Sequence, residues 1–219
     1  MLTTVILAPS PDALQHLVDI CQKYALNHGL RYNVKKTVCM CVKPKLRKHI
    51  SVPQITLNGK CLKWTEEHSY LGVLLRDDFT DVSDMNRQLR SLYTQGNILL
   101  RKFKKCSDDV KCQLFRSYCT HLYCASLWCN FTASSFSRIK VAYNNIFRML
   151  LSVKRREVYN AYVRLNVDSF QVVLRKSIYT FNQRLLKSKN CLILNIVSSM
   201  LFLSGSTLNM HWRNILYKF

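Results

Sequence analysis

The hydrophobic period of this chain changes near residue 80, and that change limits what the chain can fold into. Before it, Ile55-Thr-Leu57, Cys61-Leu-Lys-Trp64 and Tyr70-Leu-Gly-Val-Leu-Leu75 are short apolar runs separated by turn residues, the length and spacing of strands. From Ser83 onward apolar residues recur every three or four positions: Met85, Leu89, Leu92, Gly96, Leu99, Leu100 and Phe103 form one seam, which is a helical stripe. A chain of this kind is expected to be α+β, with a small mixed part over about 1–80 and an all-helical part after it. No internal repeat or low-complexity tract interrupts either part.

Within the first part, Ser10 can cap a helix whose first residue is Pro11. Leu14, Leu17, Val18, Cys21, Tyr24 and Ala25 repeat at helical spacing until Gly29 supplies a stop. Val5-Ile-Leu7, Leu30-Arg-Tyr-Asn-Val34 and Thr37-Val-Cys-Met-Cys-Val42 read as strands, with Lys35 and Lys36 in the turn between the last two. Lys43-Pro-Lys-Leu-Arg-Lys-His49 is expected to be an exposed basic loop. Asn58-Gly59 is the strongest hairpin signal in the chain, because both central residues tolerate positive φ. Gly72 inside the strand Tyr70–Leu75 is expected to mark a bulge or a close backbone approach.

The second part reads as successive helices. Ser107-Asp108-Asp109 starts one, a hydroxyl cap and two carboxylates at the positive dipole end, with Leu114, Phe115, Tyr118 and Leu122 on its apolar face. Ser134 or Ser135 opens the next, carrying Ile139, Ala142, Tyr143, Ile146, Phe147 and Leu150. Another runs from about Asp168 through Phe170, Val173, Leu174, Ile178, Phe181 and Leu185. The apolar run from Cys191 to Leu203 falls short of the roughly 18 residues a spanning helix needs, and a buried helix is expected there.

Charge narrows the partners. Among 219 residues, 33 Lys and Arg stand against 12 Asp and Glu, a net +21 distributed along the chain, while 48% hydrophobic content supports a folded core. Such a surface attracts polyanions, but charge alone does not choose among RNA or DNA held through phosphate without sequence preference, a ribosome-like assembly and a membrane surface. Ten cysteines include no Cys-x-x-Cys pair. Cys119, His121, Cys124 and Cys129 come closest to a ligand cluster, but on a helix only His121 and Cys124 share a face, so buried or idle thiols in a reducing compartment are expected and no metal. No secretory signal is apparent, the Asn130-Phe131-Thr132 acceptor pattern is then idle, and the expected place is the nucleus or cytoplasm, with no membrane partner.

Several ordered blocks resemble the reverse transcriptases of non-LTR retrotransposons, jockey-like and CR1-like elements among them. Val5-Ile-Leu-Ala-Pro-Ser-Pro-Asp-Ala-Leu14 is similar to the stretch after the catalytic aspartates, and Leu30-Arg-Tyr-Asn-Val-Lys-Lys-Thr-Val-Cys-Met40 to a palm block in which asparagine precedes lysine. Ile55-Thr-Leu-Asn-Gly59 and His68-Ser-Tyr-Leu-Gly-Val-Leu74 look like the hairpin and the strand that follow. Ser91–Phe103 and Leu122–Trp128 look like thumb and post-thumb helices.

The resemblance implies a partial palm-like sheet with one packed helix over 1–80, thumb-like helices over 81–130 and a helical C-terminal region over 131–219. It also implies that the family's Tyr-Ala-Asp-Asp turn falls on Met1, Leu2, Thr3 and Thr4, where leucine and threonine cannot replace two anionic ligands for the magnesium that polymerases use. The expectation is therefore a truncated, catalytically inactive remnant with no catalytic residue and no cofactor, although an in-frame Tyr-Ala-Asp-Asp upstream would make it a mis-started enzyme. Lys36 matches the family's general-acid lysine, and Tyr70, Leu71 and Gly72 its primer-grip strand. Asp77-Asp78 and Asp108-Asp109 are expected to be a turn and a helix start, not substitutes.

Nucleic-acid contact is expected from Lys35, Lys36, Tyr70, Leu71, Gly72, Arg87, Arg90, Arg101, Lys102, Lys104 and Lys105, with Lys111, Lys154 and Arg155 as further cations. Trp64, Trp128 and Trp212 can stack bases or fill the core, and core packing is expected of the first two. Two other roles are open: a host-adopted helical module whose apolar faces dock a protein, or a relic reading frame with no selected role.

Overall fold

A computed structural model describes residues 4–43 and 51–217. The chain divides into two compact units, Met1–Thr80 and Asp81–Phe219. The fold is α+β, with small sheets in the first unit and a helical second unit.

In the first unit α1 spans Pro11–Asn27 and begins as the sequence predicts: Ser10 Oγ accepts from Ala13 N–H at 3.2 Å, with proline at the first position. Its end is closed by Leu30 N–H donating to Ala25 O at 2.8 Å across Gly29, whose φ is +63°. Val18 joins Cys39, Ile55, Leu57 and Leu62 in one small core, with Ile6, Leu14, Tyr32, Val34 and Trp64 packed against it. Strand β1 (Val38–Cys39) runs parallel to β4 (Lys63–Trp64), and β2 (Thr56–Leu57) pairs antiparallel with β3 (Lys60–Cys61) around Asn58 and Gly59, both at positive φ. Two glutamines of α1 hold the backbone of β2. Gln15 accepts from Thr56 N–H at 2.8 Å and donates to Thr56 O at 3.0 Å, and Gln22 accepts from Asn58 N–H at 2.8 Å, so polar groups of a strand edge find partners without a further strand.

Three expected strands are absent or shortened. Residues 5–7 are irregular with Val5 and Leu7 exposed, 30–34 form no strand, and 37–42 reduce to the two residues of β1. Alternation is not enough to make a strand: a ladder partner is required, and among the described residues none pairs with 5–7 or 30–34. The strand expected over Tyr70–Leu75 is instead a hairpin, β5 (Glu67–Tyr70) with β6 (Val73–Arg76), Tyr70 opposite Val73. Leu71 and Gly72 are its two-residue turn, at φ +47° and +80°, the geometry of a type I′ connection and not of a bulge. The 43–49 loop lies outside the described residues except for Lys43.

The second unit contains seven α-helices among the described residues: α2 (Val82–Lys102), α3 (Asp108–Cys119), α4 (Ala133–Leu150), α5 (Val158–Arg164), α6 (Phe170–Leu186), α7 (Cys191–Ser198) and α8 (Thr207–Tyr217). All six apolar residues read for α4 are buried, and the α2 seam is buried from Met85 to Leu99. The two helices meet where α2 has no side chain. A Cβ on Gly96 would stand 2.8 Å from three carbons of Ile146, so glycine is what lets the backbones approach. Around that contact Phe115 packs edge-on against Tyr143 and Phe147, and the Phe147 and Tyr162 rings stack at 4.1 Å.

Several helical expectations need correcting. The cap of α4 is Thr132, which accepts from Ser135 N–H at 3.1 Å, two or three residues before the expected start at Ser134 or Ser135. The buried face of α3 is Cys112, Phe115 and Cys119 while Tyr118 is exposed; the cysteines act as small apolar residues, and counting them rotates the stripe. The helix ends at Cys119, so His121 and Cys124 share no helical face, and burial pushes the Cys119 thiol up to about 12. Trp212 is buried, its Nε1–H donating to Ser126 O at 2.7 Å and its ring edge-on to Phe181. It fills the core and offers no stacking face. The run 191–203 is not a buried helix either: α7 buries only Val197 and gives way at Ser199 to a π-helical turn, Leu201–Gly205.

Candidate nucleic-acid interface

The acidic pairs weighed as substitutes, Asp77-Asp78 and Asp108-Asp109, occupy structural positions. Asp77 is buried and pairs with Lys43, Nζ to Oδ2 2.9 Å, while Lys43 N–H donates to Asp77 O at 2.9 Å. The ammonium is held charged above its ordinary range, first by that hydrogen bond to Asp77. For Asp78 burial acts upward, but Thr80 N–H and hydroxyl, at 2.9 and 2.7 Å, together with Arg76 outweigh it and hold the carboxyl below its ordinary value. Asp108 and Asp109 stand in the first turn of α3, as expected of a helix start, and Asp108 pairs with Lys111 at 3.4 Å. Among the described residues no three His, Cys, Asp or Glu side chains come together as a metal site. Met1, Leu2 and Thr3 lie outside the described residues.

In the first unit the turn Asn33–Lys36 presents two exposed lysines. Lys36 N–H and Thr37 N–H both donate to Asn33 O at 3.0 Å, and the Thr37 hydroxyl adds a third bond at 2.9 Å. The backbone is thereby fixed while the side chains of Lys35 and Lys36 point to solvent. Leu71 and Gly72 are exposed at the tip of the β5–β6 hairpin, with Tyr70 half-buried at its base.

The second unit carries a more extended cationic surface. Arg90 and Arg101 are eleven residues apart, about three turns and roughly 16 Å along α2, so they share one face. Tyr93, Thr94 and Asn97 lie between them on that face, all exposed. The row continues past the helix: Cys106 N–H closes a turn on Phe103 O at 3.2 Å, and Lys104 and Lys105 occupy its two central positions. Arg90, Arg101, Lys102, Lys104 and Lys105 are exposed and form no ion pair among the described residues. Arg101 and Lys102 also oppose the negative end of the α2 dipole. Lys154 and Arg155 sit on a separate exposed turn before α5.

Arg87 differs from its neighbours. Its Nε and Nη2 donate to Asp84 Oδ1 at 2.8 and 2.6 Å, and Asp84 Oδ2 accepts from the Trp128 indole at 2.9 Å. Asp81 accepts from Cys129 N–H at 2.7 Å and Asn130 N–H at 2.6 Å; burial raises its carboxyl above the ordinary range despite those two donors. Sequence reading missed this anchor, although two aspartates in the opening turn of a helix are the usual signal for one. It also missed the polar residues between Arg90 and Arg101, which appear once the exposed face is counted as carefully as the buried one.

Comparison with known proteins adds one relative. Over 108 residues the chain is 30% identical to the RNA-directed DNA polymerase from mobile element jockey of Drosophila funebris, a match covering 48% of this chain and 12% of that protein. About half of the chain is thus similar to a retrotransposon reverse transcriptase, and it spans about an eighth of the length of that relative. No protein-family profile matches the chain, and no solved structure does.

Proposed function

We propose that this chain is a non-polymerising portion of a non-LTR retrotransposon reverse transcriptase that retains sequence-independent binding to RNA, DNA or their hybrid. The observation that carries this reading is the row of exposed cations from Arg90 through Lys105, ordered on a helix and the turn that follows it. Cations ordered along one face of a helix and the turn after it present several contacts to one phosphate backbone at once. Exposed Tyr93 between them offers a stacking face. Lys35 and Lys36 supply a second, smaller contact in the other unit.

The reading without polymerisation draws support from the engagement of the carboxylates between residues 77 and 84. Two-metal phosphoryl transfer needs at least two carboxylates free to converge on the cations. Asp77, Asp78, Asp81 and Asp84 instead satisfy Lys43, Thr80, backbone amides and Trp128. Lys36, even at the position of a general acid, has no leaving group to protonate without that chemistry.

The reading is tested by incubating the chain with a primed RNA template, deoxynucleotides and magnesium, and following both primer length and template retention. Retention that falls steeply between low and moderate salt, with no primer extension, is expected. Nucleotide incorporation by this chain contradicts it.

A further inference from the structure

The segment from the end of α6 to α8 has two unlike faces. Inward, Val197 is buried and Phe202 packs on Trp212, ring centroids 6.2 Å apart. Outward, Leu192 is 68% exposed, Ile196 60%, Met200 75% and Leu201 84%. The outward residues are held there. Phe202 N–H donates to Ser199 Oγ at 3.2 Å, and Asn209 Nδ2 donates to Phe202 O and Leu203 O at 3.2 and 3.1 Å, so the turn that carries Met200 and Leu201 is tied down at both ends. Four large aliphatic groups held in water are a cost that a partner removes.

Charge identifies the partner. Beyond Asp168 the sequence holds no Asp or Glu, whereas Arg175, Arg184, Lys187, Lys189 and Arg213 all follow it. Lys187 and Lys189 are exposed and immediately precede Asn190, the cap of α7. We propose that this segment docks on an anionic lipid surface, with Leu192, Ile196, Met200 and Leu201 entering the acyl boundary and Lys187 and Lys189 pairing with headgroup phosphates. Exposed aliphatic side chains next in sequence to exposed lysines are the pattern of an interfacial segment. Spanning is not involved, since no helix among the described residues is long and apolar enough to cross a membrane. Single-stranded nucleic acid is held by stacking and phosphate pairing, neither of which four aliphatic side chains supply. A second copy would set cations against cations. An acidic protein would need to offer sockets for side chains that protrude, whereas lipid yields around them. This partner is independent of the nucleic-acid reading and is one that the sequence reading set aside.

The test is flotation of the intact chain with vesicles of phosphatidylcholine alone or with about a third phosphatidylserine. Binding at least tenfold stronger to the anionic vesicles is expected. Leu192→Asp with Leu201→Asp should lower it at least tenfold at unchanged helical circular dichroism, Leu192→Ser with Leu201→Ser by less, and the exposed α5 control Val163→Asp not at all. Lys187→Gln with Lys189→Gln should lower it by roughly 25-fold, about fivefold per cation. Flotation unaffected by the apolar variants would mean adhesion by charge alone and overturn the proposal. So would no flotation, a dimer that Leu192→Asp abolishes, or capture only by an acidic protein.

Discussion

Asp84 is buried at the start of α2 and still accepts three hydrogen bonds, two from Arg87 and one from the Trp128 indole. Removing it strands that indole N–H inside the core. Asp84→Ala should therefore cost about 1–3 kcal/mol in urea denaturation, the usual penalty for an unsatisfied buried donor; the charge contribution is smaller because Arg87 stays partly solvated. Gly96 makes the opposite argument, since alanine would gain up to about 1 kcal/mol in helix propensity but meets Ile146 at 2.8 Å. Gly96→Ala should lose about 1–3 kcal/mol net through overpacking, and Gly96→Ala with Ile146→Ala should lose less than the sum of the two, a coupling that a double-mutant cycle measures. The sequence hints at an anchor in the two aspartates of the opening turn but does not identify the partners of Asp84 or the neighbour of Gly96. A glycine on an apolar seam looks like a gap, and an arginine on a helix looks like a phosphate contact until its partner, 44 residues from the indole that shares it, is placed.

Where a cap or a turn carries its own local signal the element formed as read, and the misread segments are ones that pairing or packing decides. Ser10-Pro11 and Asn58-Gly59 carry their own instructions, in a side-chain cap and in permitted positive φ, and α4 repeats its apolar residues without a break. Val5–Leu7 and 30–34 have alternation but no ladder among the described residues, and Leu71-Gly72 is a turn because its flanks pair with each other. Gly72→Ala should cost about 1 kcal/mol by placing a Cβ at φ +80°, read as a lower urea midpoint of the first unit. For α8 the test is pH. Burial holds the His211 imidazole below its ordinary value, so the folded chain favours the neutral ring. That contribution is fully present above pH 6.5 and is lost as pH falls through the lowered value. Thermal stability should decline from pH 7 toward 5.5, and His211→Gln should flatten that part of the decline.

Over the whole molecule, charge and composition predicted a folded, basic chain, and the partial match to a retrotransposon polymerase accounts for about half of it. Of the candidate site, what was legible was which residues are cationic. What was not legible was which of them are already engaged, because Arg87, Lys43 and Lys111 are paired with carboxylates while Arg90 and the residues from Arg101 to Lys105 are not paired among the described residues. The salt dependence of binding to a single-stranded oligonucleotide tests that distinction most directly. Replacing Arg101, Lys102, Lys104 and Lys105 by glutamine should reduce the slope of log affinity against log salt by about 3, from roughly 0.7 for each phosphate no longer neutralised. Arg87→Gln should leave the slope nearly unchanged. An unchanged slope in the fourfold variant, with the fold intact, would contradict the account.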